Sequence, residues 1–267
     1  MFPTFVWKAQ LPAEGYEPAN DLIVQTLGEI EPTLTDLKRG ESWQSGPALH
    51  EMKQFEPLVE AIDDAVKSVL DYLRVGHRIY KITGCWATVN APGAAHGIHS
   101  HPNNYLSGVY YVRTGEGANT ISFIDPRFQT GILRPPVTEM TAENTDQVVV
   151  TVRDGTLLMF PAWLQHSVDP NRCDRPRVSI SFNVMLSDYE DTLSQPGWEG
   201  RWRSSVTAGP DDPTADTLKV KDSPPGRHSI TTGEEVYGKF KSLVRCGLQV
   251  DRELGRNSFD RQVSRGW

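Results

Sequence analysis

The chain has 267 residues, 38% of them hydrophobic and 23% charged, with a net charge of −7. That length supports a sizeable core, and the balance is that of an ordinary globular protein rather than a disordered or membrane-spanning one. The acidic balance argues against nucleic acid or an anionic membrane as partner, because phosphate binding needs a basic footprint.

The first 50 residues are mixed and interrupted by prolines at 3, 12, 18, 32 and 47. A short helix is predicted over 21–30, where Leu22, Ile23, Leu27 and Ile30 share a face. A second, clearer helix is predicted over 55–74. Phe55, Leu58, Val59, Ile62, Val66, Val69, Leu70 and Leu73 follow three-and-four spacing, Pro57 suits the first turn, and Gly76 follows the end. From residue 78 the signal changes to strands. They are predicted over 79–89, 106–112, 119–124, 147–153, 156–160 and 177–186, with Asn90-Ala91-Pro92-Gly93 as a turn cluster after the first. Asp154-Gly155 reads as a hairpin turn, because both residues tolerate positive φ. Short strands separated by turn residues indicate a mainly β domain, a sandwich or barrel-like core.

After residue 188 the chain is polar and rich in Gly and Pro. One further helix is predicted over 234–248, opened by a capping box at Thr231 or Thr232 with Glu234 or Glu235. The organisation expected is one domain over 1–267: a helical and irregular extension over 1–78, a β core over 79–187, and a C-terminal extension over 188–267. Cys85, Cys173 and Cys246 are odd in number and form no CxxC pair, so inert thiols in a reducing compartment are expected. The N-terminus lacks a basic leader and a long apolar core, which makes a cytoplasmic location the expectation.

The chemistry is carried by His99-Ser100-His101, by His166, and by Arg177-Val178-Ser179. Histidines one residue apart project to the same face of an extended segment. A third histidine completes a three-ligand cap that leaves positions of a metal open, and neutral imidazole suits Fe(II), zinc and other first-row ions. His166 ends an apolar run, where an unpaired ionisable group is costly. His96 competes as a ligand. An offset of three from His99 points it to the other side of the segment, so it is assigned to a loop or to a supporting position. His50, His77 and His228 have no partner in sequence and are assigned to the surface. Arg177, Ser179, Ser181 and Asn183 share one face of the last strand, and Val178, Ile180, Phe182 and Val184 the other. If the polar face turns inward, Arg177 is a fork for a ligand carboxylate and Ser179 adds a hydroxyl. The turn residues of 167–176 predict that this strand returns antiparallel beside the one carrying His166.

Residues 99–112 (HSHPNNYLSGVYYV), 121–127 (ISFIDPR), 155–168 (GTLLMFPAWLQHSV) and 177–183 (RVSISFN) resemble a bacterial and phage family of 2-oxoglutarate/Fe(II) oxygenases. The resemblance spans roughly residues 80–186. It implies a double-stranded β-helix, a cupin-like jelly roll, with flanking helices. It places His99, His101 and His166 as metal ligands, with His101 standing where the superfamily carries an acidic residue. It matches Arg177 and Ser179 to the pair that holds the distal carboxylate of 2-oxoglutarate, with Tyr110 and Asn183 as further contacts to that group. The activity implied is hydroxylation of an unknown substrate, a small molecule or a protein side chain. It is coupled to oxidative decarboxylation of 2-oxoglutarate to succinate, with Fe(II) as metal and dioxygen as co-substrate. Two other readings stand beside it: a zinc or nickel cupin-like hydrolase or isomerase, which suits three histidines, and a non-catalytic β-helix binding module. Neither nucleic acid nor membrane is an expected partner; a second copy of the chain, as a homodimer, is left open.

Overall fold

The computed structural model describes residues 4–76, 79–127, 132, 135–141 and 144–187. The predicted helix over 234–248, the rest of the C-terminal extension, Cys246, His77 and His228 lie outside them. Among the described residues, ten strands and two long helices follow in chain order: β1 (Trp7–Gln10), α1 (Ala13–Ile30), β2 (Ser42–Gln44), α2 (Glu56–Tyr72), β3 (Tyr80–Asn90), β4 (His96–His99), β5 (Leu106–Arg113), β6 (Thr120–Ile124), β7 (Gln147–Thr151), β8 (Thr156–Pro161), β9 (His166–Val168) and β10 (Arg177–Leu186). They make a six-stranded sheet in the order β1-β8-β5-β10-β3-β2 and a four-stranded sheet in the order β4-β9-β6-β7, with every strand pair antiparallel. This is the double-stranded β-helix expected from the sequence.

Alternation along each strand decides which face each layer covers. On β10, Val178, Ile180, Phe182 and Val184 are buried in a cluster with α1 and α2. Leu58, Ile62, Val66 and Val69 of α2 lie in that cluster, each at most 3% exposed. Burying a side chain of this size is worth roughly 1.5–3 kcal/mol, so this stripe anchors the helix to the sheet. The opposite parity of the large sheet faces the small one. Val109 and Tyr111 of β5 and Leu158 and Phe160 of β8 pack with Ile121, Phe123 and Val150.

Several local expectations are corrected. The first helix begins at Ala13, eight residues before its predicted start, and continues through Pro18. Pro18 is the sixth residue of this helix, past the N–H groups that lack an intrahelical acceptor, so it forfeits one bond, to Glu14 O, which the burial of Ile23 and Leu27 offsets. Ile23 and Leu27 are buried, but Leu22 and Ile30 remain largely exposed. The second helix ends at Tyr72, two residues before its predicted end, and the left-handed cap residue is Arg74, at φ 56°, rather than Gly76. Val75 N donates to Leu70 O and Arg74 N to Asp71 O, the bonding of a Schellman cap. Asp154-Gly155 is a turn, with Gly155 at φ 77°, yet it is not a hairpin. It carries the chain from β7 in the small sheet to β8 in the large one. A Cβ on Gly155 would stand 2.2 Å from the Tyr16 ring. The connection after His166 likewise crosses between sheets, so β10 lies opposite β9 rather than beside it. Strands β1, β2 and β4 go unpredicted, being three or four residues each and too short to show a period, and the strand expected to carry His166 is two, β8 and β9, in different sheets. Cys85 is fully buried, and burial pushes its thiol up to about 12, as expected of an inert cysteine. His50 is half-buried rather than on the surface, with an unpartnered Nδ1.

Candidate metal centre

Antiparallel pairing of β4 with β9 sets His99 directly opposite His166. His101 follows on the segment leaving β4, and its backbone N–H donates to Ala162 O over 2.9 Å, tying it to the turn before β9. The ring centroids of His99 and His166 are 4.3 Å apart, those of His99 and His101 5.1 Å, and those of His101 and His166 5.2 Å. One nitrogen from each ring lies within 4.8 Å of the others. Metal–nitrogen bonds of about 2.1 Å at right angles call for nitrogens about 3 Å apart, which small ring rotations can reach.

The rings are already oriented for such an ion. His99 Nδ1 is 2.8 Å from Gly97 O and His166 Nδ1 is 2.9 Å from Leu164 O. A carbonyl oxygen only accepts, so both Nδ1 atoms carry the proton and both Nε2 lone pairs remain available. Burial, above all, lowers His101 and His166 to about 4, which keeps them neutral near pH 7, the form a metal binds. Phe160 meets the His166 ring edge-on at 4.7 Å, an apolar backing that excludes water from one side.

Across the cavity from these imidazoles stands β10. Arg177, Ser179 and Ser181 line the same cavity as His99, His101 and His166, so the polar face of this strand does turn inward. Arg177 is 3% exposed. Its Nη2 donates to Asn90 Oδ1 over 2.9 Å, while its Nε is buried with no partner. Desolvation pulls the guanidinium below its ordinary pKa. A buried cation with an unfilled donor is costly unless an anion completes it. The donor set therefore fits both parts of the implied cofactor pair: imidazoles for iron and a guanidinium fork for a dicarboxylate.

Two of the predicted contacts are placed elsewhere. Tyr110 points to the helix side of β5, where its hydroxyl donates to Asn20 Oδ1 over 2.7 Å. Asn183 accepts a hydrogen bond from Ser107 Oγ over 2.7 Å, beside a register shift between Asn183 and Val184. Neither lines the cavity. Residues that the sequence reasoning passed over do: Tyr111, next to Tyr110 but of opposite parity, and Trp86, Thr88 and Asn90 on β3. Asn90 pairs with Arg177, Thr88 with Ser179 and Trp86 with Ser181. The alternation of Trp86, Thr88 and Asn90 with the buried Cys85, Ala87 and Val89 is the signal that could have revealed them. His96 is also corrected. It lines the cavity, and its ring stacks on His99 with centroids 4.8 Å apart.

Residues 84–183 match the family model described as "Putative 2OG-Fe(II) oxygenase". No curated protein matches the chain by sequence. Among solved structures, HygX from Streptomyces hygroscopicus with nickel and 2-oxoglutarate bound is similar at 12% identity and a TM-score of 0.50, covering 69% of this chain and 84% of that one. A prolyl-4-hydroxylase from Pseudomonas putida is similar at 15% identity and a TM-score of 0.47, covering 68% and 93%. The non-heme alpha-ketoglutarate-dependent epimerase SnoN from nogalamycin biosynthesis is similar at 15% identity and a TM-score of 0.46, covering 74% and 89%.

Proposed function

We propose that this chain, whose core over residues 84–183 is that of the 2-oxoglutarate/Fe(II) oxygenase family, is an enzyme that hydroxylates a carbon of its substrate while converting 2-oxoglutarate to succinate. The observation that carries the reading is the buried Arg177, with its unpartnered Nε, opposite three converging imidazoles in one cavity. His99, His101 and His166 would hold Fe(II), and Arg177 with Ser179 would hold the far carboxylate of 2-oxoglutarate. Bound there with dioxygen, this pair supplies the oxidising power for C–H hydroxylation, and the oxo acid leaves as succinate and carbon dioxide.

The residues of the chain do the binding and orienting. Gly97 O and Leu164 O fix two imidazoles by accepting their Nδ1–H bonds. Asn90 fixes the guanidinium plane by accepting from Nη2. Phe160, Ile121, Val109 and Val168 make one part of the cavity wall apolar, and a wall that offers water no partner strengthens the guanidinium–carboxylate attraction. Substrate, a small molecule or a protein side chain, enters from the open side.

An all-histidine cap also suits zinc or nickel in a hydrolase or isomerase, although that chemistry leaves Arg177 and Ser179 without a task. The deciding experiment incubates anaerobically Fe(II)-loaded protein with 2-oxoglutarate, admits oxygen, and measures succinate. Succinate that appears only with Fe(II) and oxygen, and disappears in Arg177→Met, supports the oxygenase. Tight zinc or nickel that iron cannot replace, with 2-oxoglutarate recovered intact, overturns it.

A further inference from the structure

His96 is brought into the cavity by a specific irregularity. An offset of three residues puts side chains on opposite faces of a regular strand. Here His96 is opposite Val168 and His99 is opposite His166, so three steps on β4 answer two on β9. This bulge turns His96 to the same side as His99, and the two rings stack at 4.8 Å with planes 27° apart. Bulges of this kind re-aim a side chain and are enriched beside active sites.

His96 differs from the neighbouring imidazoles. It lies outside the group of three whose nitrogens converge on one point. Its ring nitrogens make no hydrogen bond among the described residues, whereas His99 and His166 each spend Nδ1 on a backbone carbonyl. It stands at the exposed mouth of the cavity. It is also near enough to Arg177 for that charge, after burial and His99, to hold its pKa below the ordinary value. His96 therefore lines the cavity that also holds the imidazole cap and the guanidinium, with ring nitrogens that have no partner among the described residues.

We infer that His96 is a co-substrate-binding residue, whose ring N–H donates to a carboxylate oxygen of the oxo acid held between His99 and Arg177. This rests on the oxygenase reading. An imidazole carries at least one N–H in every tautomer and charge state, so the contact needs no change of protonation. The result is a third polar fixture beside Arg177 and Ser179, from the opposite sheet. It would orient the oxo acid from the small-sheet side, where β10 cannot reach.

The test uses full-length protein loaded anaerobically with Mn(II), titrated with 2-oxoglutarate by calorimetry, with metal content measured on the same samples. His96→Phe keeps an aromatic ring on His99 but has no N–H; His96→Gln restores a donor. A hydrogen bond to a charged group predicts roughly 10- to 100-fold weaker 2-oxoglutarate binding in His96→Phe, with full metal occupancy. In His96→Gln, affinity is expected to return to within roughly threefold of the unaltered protein by the same arithmetic. Loss of metal from His96→Phe would make His96 a ligand and overturn the inference. So would unchanged oxo-acid affinity in His96→Phe, or no recovery in His96→Gln. Failure of the unaltered, metal-loaded protein to bind 2-oxoglutarate would remove the oxygenase reading itself, and this inference with it.

Discussion

Replacing Arg177 with methionine separates the two things its guanidinium does. In the protein by itself, Arg177 is a buried cation with Asn90 Oδ1 as an acceptor and an unpartnered Nε. Removing a buried charge in favour of an apolar side chain of similar volume is often neutral or stabilising. Against that gain, Asn90 Oδ1 loses a donor, at a cost of about 1–3 kcal/mol. These terms oppose each other, so Arg177→Met is expected to fold with a stability within about 2 kcal/mol of the unaltered protein. Ligand binding has no such compensation. Two parallel N–H bonds to a carboxylate are worth about 1.5–3 kcal/mol each. Their loss predicts 2-oxoglutarate binding weaker by roughly 10²- to 10⁴-fold. Titration calorimetry on Mn(II)-loaded protein reads the affinity, and urea denaturation of the metal-free protein reads the stability. Unchanged oxo-acid affinity, with metal bound, would refute the assignment. A stability loss of about 5 kcal/mol or more would show that Arg177 is a structural group rather than a ligand fork.

His166→Ala should abolish stoichiometric metal binding, read by elemental analysis after anaerobic loading; full occupancy would exclude His166 from the site. Tyr110→Phe should leave oxo-acid affinity unchanged, because its hydroxyl is spent on Asn20. It should lower stability by about 1–3 kcal/mol, the cost of a buried acceptor left short of a donor, and an affinity loss instead would return Tyr110 to the site. The metal-free protein should lose stability as pH falls below about 6.5, the unfolded-state pKa of histidine. His166 titrates at about 4 when folded, so the unfolded chain takes up the proton first and folding is opposed progressively between those values. By about pH 5 the His166 share is on the order of 2 kcal/mol, read as the difference in denaturation between the unaltered protein and His166→Phe. No pH dependence in that difference would contradict the burial argument.

The sequence made the architecture legible where periodicity was long. The apolar stripe of α2 and the alternation of β10 are dense enough to separate an apolar face from a polar one, but which way the polar face of β10 turns was open until Arg177 and Ser179 were seen lining the cavity. It was silent where elements are short. Strands β4 and β9 supply two of the three imidazoles, yet they hold four and three residues, too few for a two-residue alternation to stand out from chance. Pairing was also out of reach. Asp154-Gly155 is correct turn chemistry, but only the folded chain shows that it links two sheets. Tyr110 and Tyr111 are indistinguishable as letters; strand parity, fixed by the packing of Val109 and Val112 on opposite sides, sends one to the core and the other to the cavity. His96 was misplaced because a bulge breaks the period on which the reasoning relied.

The most direct measurement is an anaerobic crystal structure of the full chain soaked with Fe(II) and 2-oxoglutarate. One ion bonded to nitrogens of His99, His101 and His166, with the far carboxylate of the oxo acid paired to Arg177, is the predicted result. An ion held by only two of those imidazoles, or an oxo acid bound away from Arg177, would contradict the account.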